Sequence, residues 1–245
     1  MANITPMMEQ YFRIKNEYKY CLLFFRLGDF YEMFFDDAII ASKELEITLT
    51  GKDWGQSERA PMCGVPFHSA EGYINRLVER GYKVAICEQV EDPKLAKGIV
   101  KREVTRVITP GTITDNAALD EKKNNYIMSV FADKNGYGVA FCDVTTGEFI
   151  TTEFTSVNAE NKVIDEIGHY TPSEVISNSA LKESGLLKTV TRRFPLSVTF
   201  CADWTFSQGS AKEKIFSHLK ISTLNGLGLG DKPLAVSACG GLLQY

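Results

Sequence analysis

Two side chains with useful chemistry, Phe30 and Glu32, stand two positions apart in an aromatic-rich run at residues 30–35. The run predicts an extended strand, in which side chains two positions apart share one face and lie about 6.6–6.8 Å apart. On such a face a flat ring can stack and a neighbouring carboxylate can accept a hydrogen bond. The ordinary interpretation is a core phenylalanine and a solvated glutamate. The residue types alone favour that ordinary interpretation.

Charge gives a second, mixed signal. The formal net charge is −4 and the sequence pI is about 5.5, unlike a generic nucleic-acid-binding protein. Residues 94–106 nevertheless carry five basic side chains against one acid, for a local charge of +4. Such a run forms either a solvated face or a set of phosphate contacts. The five basic residues are Lys94, Lys97, Lys101, Arg102 and Arg106.

Other site chemistries are not indicated. The six cysteines lie far apart without a C-x-x-C pair, and the three histidines are scattered, so we expect reduced thiols and no zinc site. No G-x-x-x-x-G-K-[ST] loop occurs, which excludes a nucleotide site of that type in this chain. Charged residues in the first thirty positions argue against a signal peptide, and no run of eighteen apolar residues occurs. We therefore expect a cytoplasmic protein with no membrane span.

The elements that must position the aromatic–acid pair form an α/β pattern. The Thr-Pro pair at residues 5–6 predicts a helix start, with the threonine as N-cap. Runs at 22–26 and 30–35, separated by a Gly-Asp pair, predict a hairpin or a bulged strand. Further predictions in this part are a helix from Asp36, a loop over 51–60, a helix over 69–80 and strands at 83–90 and 104–109.

The second half predicts a meander of three strands followed by alternating helices and strands. The three strands of the meander are predicted at 126–131, 137–144 and 148–154. Helices are predicted after it at 158–169, 180–185, 210–219 and 234–245, and strands at 174–177 and 196–201. This order, β-β-β-α-β-α-β-α, is that of ribonuclease-H-like folds. The last helical run reaches the final residue without a stop signal, from which we expect a piece of a longer protein.

A polar stretch without aromatic residues at 116–124 predicts a linker between two domains, 1–115 and 125–245. Neither side of this stretch is basic. Residues 1–115 carry 15 basic and 17 acidic side chains, and residues 116–245 carry 12 and 14, so each part has a net charge of −2. The expected fold class is α/β in two domains.

Several motifs in register resemble the bacterial MutS mismatch-repair family. The chief one is Gly-Asp-Phe-Tyr-Glu-Met-Phe at residues 28–34, and Thr-Pro-Met-Met-Glu-Gln-Tyr stands at 5–11. Pro-Met-Cys-Gly-Val-Pro-Phe-His follows at 61–68, Ile-Cys-Glu-Gln at 86–89 and Thr-Pro-Gly-Thr at 109–112. The second half is similar in length and strand order and ends in Gly-Gly-Leu-Leu-Gln-Tyr.

The resemblance implies roles for particular residues. Residues 1–115 would be a mixed-sheet mismatch-recognition domain, and 125–245 a ribonuclease-H-like connector domain. Phe30 would wedge into the minor groove and stack on a mispaired base, while Glu32 hydrogen-bonds the edge of that base. Lys52 and Arg102 would lie near the DNA backbone.

His68 and Ser69 begin a predicted helix. They either offer backbone N–H groups to a phosphate or cap the helix, and the cap is the interpretation we favour.

The resemblance also implies partners. These are mismatched double-stranded DNA, the MutL protein and, in the full-length protein, a second copy of the chain. ATP and magnesium would belong to an ATPase outside this chain. Within the chain we expect no catalytic residue, no metal ligand and no cofactor.

Two alternatives from other classes stay open. A ribonuclease-H-like layout is compatible with a metal-dependent nuclease, which needs a cluster of carboxylates. The candidate acids are Asp133, Asp143, Glu148 and Asp165. The other alternative is a protein-interaction module that reads no mismatch.

Overall fold

The computed structural model describes residues 4–91, 98–113, 124–194 and 196–245. The chain divides into two compact units, Met1–Ile113 and Thr114–Tyr245, each with its own sheet. The predicted linker at 116–124, except residue 124, lies outside the described residues, as do Lys94 and Lys97 of the basic run.

The first unit is built on a six-stranded mixed sheet. Its elements are α1 (Pro6–Glu17), β1 (Cys21–Leu27), β2 (Phe30–Phe34), α2 (Phe35–Leu45), β3 (Thr50–Lys52), β4 (Ala60–Pro66), α3 (Ala70–Glu79), β5 (Lys83–Gln89) and β6 (Arg102–Ile108). The strand order is β3-β4-β2-β1-β5-β6, with β1 parallel to β5 and the other neighbours antiparallel. The expected α/β class with a mixed sheet is confirmed.

The hairpin of β1 and β2 carries the chief sequence motif. The two strands pair antiparallel with Leu27 opposite Phe30, so only Gly28 and Asp29 form the turn. Gly28 has a φ of +58°, a left-handed conformation that glycine adopts without the strain of a side chain. The predicted hairpin is therefore present, and its turn sets the first residue of β2.

Helix α1 covers one face of this sheet. Its Met8, Tyr11 and Ile14 pack in one buried cluster with residues of β1, β2 and β5. The cluster includes Phe34 but not Phe30. Thr5 occupies the N-cap position of α1, but its side chain makes no capping hydrogen bond, so the predicted side-chain cap is absent.

Helix α2 packs on the opposite face and is tied to α1 through a partly buried ion pair. The thiol of Cys63 lies 3.5 Å from the carbonyl of Ala38, and Cys63 faces away from the α1 cluster. The Asp37 carboxylate accepts hydrogen bonds from Lys15 Nζ at 2.8 Å and from the backbone N–H of Leu23 at 3.0 Å. Burial raises the pKa of Asp37, and Lys15 opposes that rise. The ion pair links α1, β1 and α2.

Strands β3 and β4 are the main departure from the sequence prediction, which placed a loop over 51–60 and no strand between 36 and 83. Strand β4 contains two prolines and a glycine, which are weak strand formers. Its pairing with β2 places Gly64 opposite Glu32. A Cβ at Gly64 would lie 3.2 Å from the Tyr31 carbonyl oxygen, so the absence of a side chain permits this close pairing.

The second unit has a five-stranded sheet. Its elements are β7 (Tyr126–Asp133), β8 (Gly136–Asp143), β9 (Glu148–Phe154), α4 (Ala159–Tyr170), β10 (Glu174–Ser177), α5 (Gly185–Arg193), β11 (Ser197–Phe200), α6 (Gln208–Leu219) and α7 (Pro233–Gln244). The order is β11-β10-β7-β8-β9, an antiparallel meander extended by two parallel strands. The predicted meander with α/β crossovers is thus present. The helix predicted at 180–185 is wrong, because Ser179–Glu183 forms a 3₁₀ turn and α5 begins at Gly185.

Helix α7 lies inside the second unit and is apolar nearly all round. Nine of its residues, Leu234 to Leu242, are buried. A Cβ at Gly138 of β8 would lie 1.9 Å from the Leu234 carbonyl oxygen, so the helix backbone rests directly on the sheet. The Glu153 carboxylate of β9 accepts hydrogen bonds from the N–H groups of Leu234 and Ala235 at 2.9 and 3.1 Å. A carboxylate at this end complements the helix dipole.

Across the part of the chain that the structure describes, no helix combines the length and the apolar character needed to cross a membrane.

Asp143 organises the turn between β8 and β9. Its buried carboxylate accepts hydrogen bonds from the backbone N–H and hydroxyl of Thr145 at 2.9 and 2.6 Å and from the N–H of Asn125 at 3.2 Å. Burial acts to raise the pKa of Asp143, but these bonds outweigh it and hold the pKa below its ordinary value. A carboxyl group of this kind stabilises the fold at neutral pH and loses that effect as pH falls through its lowered pKa.

We predict that Asp143→Ala lowers the stability of the second unit by about 1–3 kcal/mol at pH 7, because it strands buried N–H donors. The deficit shrinks in acid, where the wild-type carboxyl is itself protonated. Urea unfolding at pH 7 and at acidic pH, followed by Trp204 fluorescence in a Trp54→Phe background, measures the loss of stability. Asp165→Ala, on the exposed side of α4, is the control. Equal losses in the two variants, or a deficit independent of pH, would contradict this account.

Candidate nucleic-acid interface

Phe30 is an aromatic side chain left outside the core. It begins β2, opposite Leu27 of β1 and Pro66 of β4, and it is 46% exposed. Phe34, on the same face of the strand, is fully buried under α1. The ring of Phe30 is therefore presented to solvent by a strand whose other end is anchored in the core.

Glu32 lies between these two aromatics and is held by Lys52 of β3. The Lys52 ammonium donates to Glu32 Oε2 at 2.5 Å and lies 5.6 Å from the centre of the Phe34 ring. Both side chains are partly covered, with Lys52 32% and Glu32 19% exposed. The sequence predicted each residue as a candidate site residue but not their contact, because β3 was not predicted.

A second set of contacts fastens the loop after β4 to the hairpin turn. The N–H of Phe67 donates to the Asp29 carbonyl at 2.9 Å, and the Arg26 guanidinium stacks 3.6 Å from the centre of the Phe67 ring. Arg26 also pairs with Glu88 at 3.5 Å, and the Tyr31 hydroxyl donates to Glu88. Burial, followed by this hydrogen bond, raises the pKa of Tyr31 to about 12.

Arg26 and Phe67 were not singled out from the sequence. Both fall inside runs where a basic or aromatic residue has an ordinary explanation. The available signal was the repeated aromatic character of the segments that flank the turn, which indicates packing rather than a particular contact.

His68 and Ser69 are exposed in a single 3₁₀ turn that precedes α3. Ser69 occupies the N-cap position, but its side chain accepts no bond from the helix and instead lies 3.4 Å from the Pro66 carbonyl. The predicted cap is therefore wrong. The physical reason is the backbone of Ser69, with φ −120° and ψ 11°, which lies outside the extended region typical of an N-cap and leaves the hydroxyl directed back to Pro66.

Arg102 is placed differently from an exposed phosphate contact. It is only 6% exposed, and its Nε donates to the Arg26 carbonyl at 2.7 Å. One terminal nitrogen donates to Gln10 Oε1 at 3.0 Å and to the Val100 carbonyl at 2.8 Å. A direct phosphate contact would disrupt these bonds. The guanidinium instead joins β6 to α1 and to the end of β1.

The carboxylates of the nuclease alternative are engaged separately. Asp133 accepts from Asn135, Glu148 accepts from the Tyr126 hydroxyl at 2.5 Å, and Asp143 holds its own turn. Asp165 is exposed on α4. Within the described ranges no group of three or more histidine, cysteine, aspartate or glutamate side chains is arranged to hold a metal ion.

Two family models match the chain in succession. The model described as MutS domain I matches residues 5–117, and the model described as MutS domain II matches residues 125–245. Together they account for nearly the whole sequence.

Curated relatives match over the same length. A protein from Acetivibrio thermocellus, called "DNA mismatch repair protein MutS", is 54% identical over 246 residues, covering 100% of this chain and 28% of the relative. The protein of the same name from Ruminiclostridium cellulolyticum is 55% identical with the same coverage. That from Lachnoclostridium phytofermentans is 52% identical and covers 100% of this chain and 26% of the relative. The chain thus spans little more than a quarter of the relatives it matches.

We predict that Arg102→Met destabilises the first unit by about 2–4 kcal/mol, because the buried guanidinium supplies several charge-assisted hydrogen bonds. Urea unfolding followed by Trp54 fluorescence, in a Trp204→Phe background, measures the change. Lys101→Met is the matched control, since Lys101 is adjacent and its side chain is 61% exposed. We expect the control to change stability by no more than about 0.5 kcal/mol. Similarly small effects of both substitutions would contradict the buried, hydrogen-bonded placement of Arg102.

Proposed function

The chain belongs to the MutS family, of which it carries domains I and II, and on this premise we propose that it recognises mispaired or unpaired bases in duplex DNA. The single observation that carries the proposal is the exposed ring of Phe30 at the end of a strand otherwise anchored in the core.

Phe30 is proposed to enter the minor groove as a wedge. Insertion of an apolar side chain unstacks a base step and kinks the duplex at a cost of a few kcal/mol. A mispaired base has already lost part of its pairing and stacking, so the same distortion costs less there. Discrimination then arises from the weakness of the DNA at the lesion rather than from a code for base identity. This suits a protein that accepts many kinds of mismatch.

Glu32 is proposed to contact the edge of the displaced base. Ionised, it accepts a hydrogen bond from an imino N–H, and protonated, it donates one to a purine nitrogen. Against a matched duplex the charge is repelled and finds no partner, which weakens binding to ordinary sequence.

The contacts with the DNA backbone are proposed for the exposed or partly exposed residues around this strand. Lys52 provides an ammonium for a phosphate, and His68 and Ser69 lie exposed on the loop next to Pro66, the β4 partner of Phe30. Arg102 enters the proposal as the support of this platform, because its guanidinium is used inside the unit.

The second unit is proposed to be a connector without catalytic residues. It would relay DNA binding to the remainder of the full-length protein and offer a surface to MutL. The full-length protein is proposed to be a homodimeric clamp that uses ATP and magnesium in a part outside this chain. The length of the relatives, of which this chain covers 28% in the first case, supports that division of labour.

We predict that Phe30→Ala in the full-length protein lowers the ratio of mismatched to matched affinity to about one, because the wedge is lost. Fluorescence anisotropy with a short duplex containing one G·T pair, compared with its matched counterpart, measures the ratio. Tyr20→Ala serves as the control, since Tyr20 is 93% exposed just before the opposite end of β1. Wild-type discrimination in Phe30→Ala would refute the proposal.

We predict that Glu32→Gln raises affinity for matched duplex relative to G·T duplex by about threefold to tenfold, as ~1 kcal/mol of removed repulsion gives. The same pair of duplexes measures it. An unchanged ratio would remove the charge of Glu32 from the discrimination mechanism while leaving the wedge of Phe30 intact.

A further inference from the structure

We propose that Lys52 acts as a latch on Glu32, so that contact of Lys52 with a DNA phosphate releases the carboxylate that meets the base. This inference rests on the proposed function and adds an energetic link between the backbone contact and the base contact. It makes Lys52 a residue whose effect on DNA affinity depends on Glu32, rather than a simple phosphate contact.

The first support is the reach of the lysine across the sheet. Strand β4 lies between β3, which carries Lys52, and β2, which carries Glu32. Lys52 is opposite Ala60, whereas Glu32 is opposite Gly64, so the two residues do not share a register level. The side chain must extend along and across the sheet to make the ion pair. Gly64 carries no side chain on β4 beside Glu32.

The second support is the environment of the pair. The ammonium lies over the Phe34 ring, and both partners are largely withdrawn from water. Ion pairs in such a place are screened less by solvent and salt than exposed ones, so in the free protein the Glu32 carboxylate is held in its pair with Lys52. Two neighbouring cations in the described part of the unit are already engaged elsewhere. Arg26 is paired with Glu88, and Arg102 donates to the Arg26 carbonyl and to Gln10.

The consequence is that the phosphate contact of Lys52 and the base contact of Glu32 both require the Lys52–Glu32 ion pair of the free protein to break. A phosphate that draws Lys52 away leaves Glu32 charged at the DNA surface. At a mismatch the carboxylate finds a base-edge hydrogen bond, which compensates for the lost ion pair. On matched DNA it finds no partner, so the ion pair is lost without compensation. The latch therefore lowers the affinity for any duplex by the strength of the ion pair, and only at a mismatch does the base contact of Glu32 offset that loss.

A double-mutant cycle in DNA binding tests the latch. Lys52→Met, Glu32→Gln and the double variant are made in the full-length protein, and affinities for a G·T duplex and its matched counterpart are measured. In the Glu32→Gln background, Lys52→Met removes the phosphate contact alone. In the wild-type background it also removes the ion pair that had to be broken. We therefore predict that Lys52→Met weakens binding about fivefold less in the wild-type background, the ratio that ~1 kcal/mol of pairing gives.

The sign of the coupling separates the latch from other arrangements. If Lys52 and Glu32 attract each other mainly in the bound complex, Lys52→Met is more harmful when Glu32 is present, and this overturns the latch. Additive effects overturn it as well, because they mean that the ion pair is unchanged by binding.

The matched control is a cycle on Arg80 and Glu44, which are paired at 2.6 Å but lie at the C-cap of α3 and on α2. It should be additive in DNA binding. The recognition proposal fails separately, through retained discrimination in Phe30→Ala. An additive Lys52–Glu32 cycle in a protein that still requires Phe30 would reject the latch alone.

Discussion

The pairing of β2 on both of its edges is the constraint on which the candidate interface depends. Strand β1 fixes its register on one side and β4 on the other, so each side chain of β2 has one possible direction. Phe34 goes into the α1 cluster, and Phe30 is carried beyond it. A slip of one residue would exchange the two faces, burying Glu32 and exposing Met33 or Tyr31. Exposure of the ring is thus a property of the sheet rather than of a flexible loop.

The parts predicted well from sequence are those specified by neighbouring residues. The hairpin follows from Gly28 and the aromatic runs beside it, and the meander of the second unit follows from alternating strands with short turns. The common face of Phe30 and Glu32 follows from strand geometry alone. Their proposed part in recognition came from motif resemblance, because an aromatic residue in a strand is ordinarily core.

The parts that were missed depend on contacts between distant residues. Strand β4 is a poor strand by propensity and exists because β2 and β3 pair with it. Without it the meeting of Lys52 and Glu32 has no sequence signal. Arg102 belongs to a basic run typical of a solvated face, yet its acceptors come from α1 and β1, far away in sequence. Local charge density carries no information about which side chains the fold turns inward.

Helix α7 has a consequence for the synthesis of the second unit. It follows all the other elements of that unit in the sequence, yet it lies against β7 and β8, the first strands of the unit. The helix backbone approaches β8 so closely that a side chain at Gly138 would clash with it. During translation the meander emerges early with one apolar face uncovered. Helix α7 can cover that face only after residues 233–244 have been synthesised. The first unit has no such dependence, since its sheet is complete by Ile108. The chain is thus arranged so that the unit bearing Phe30 can fold while the other is still being made.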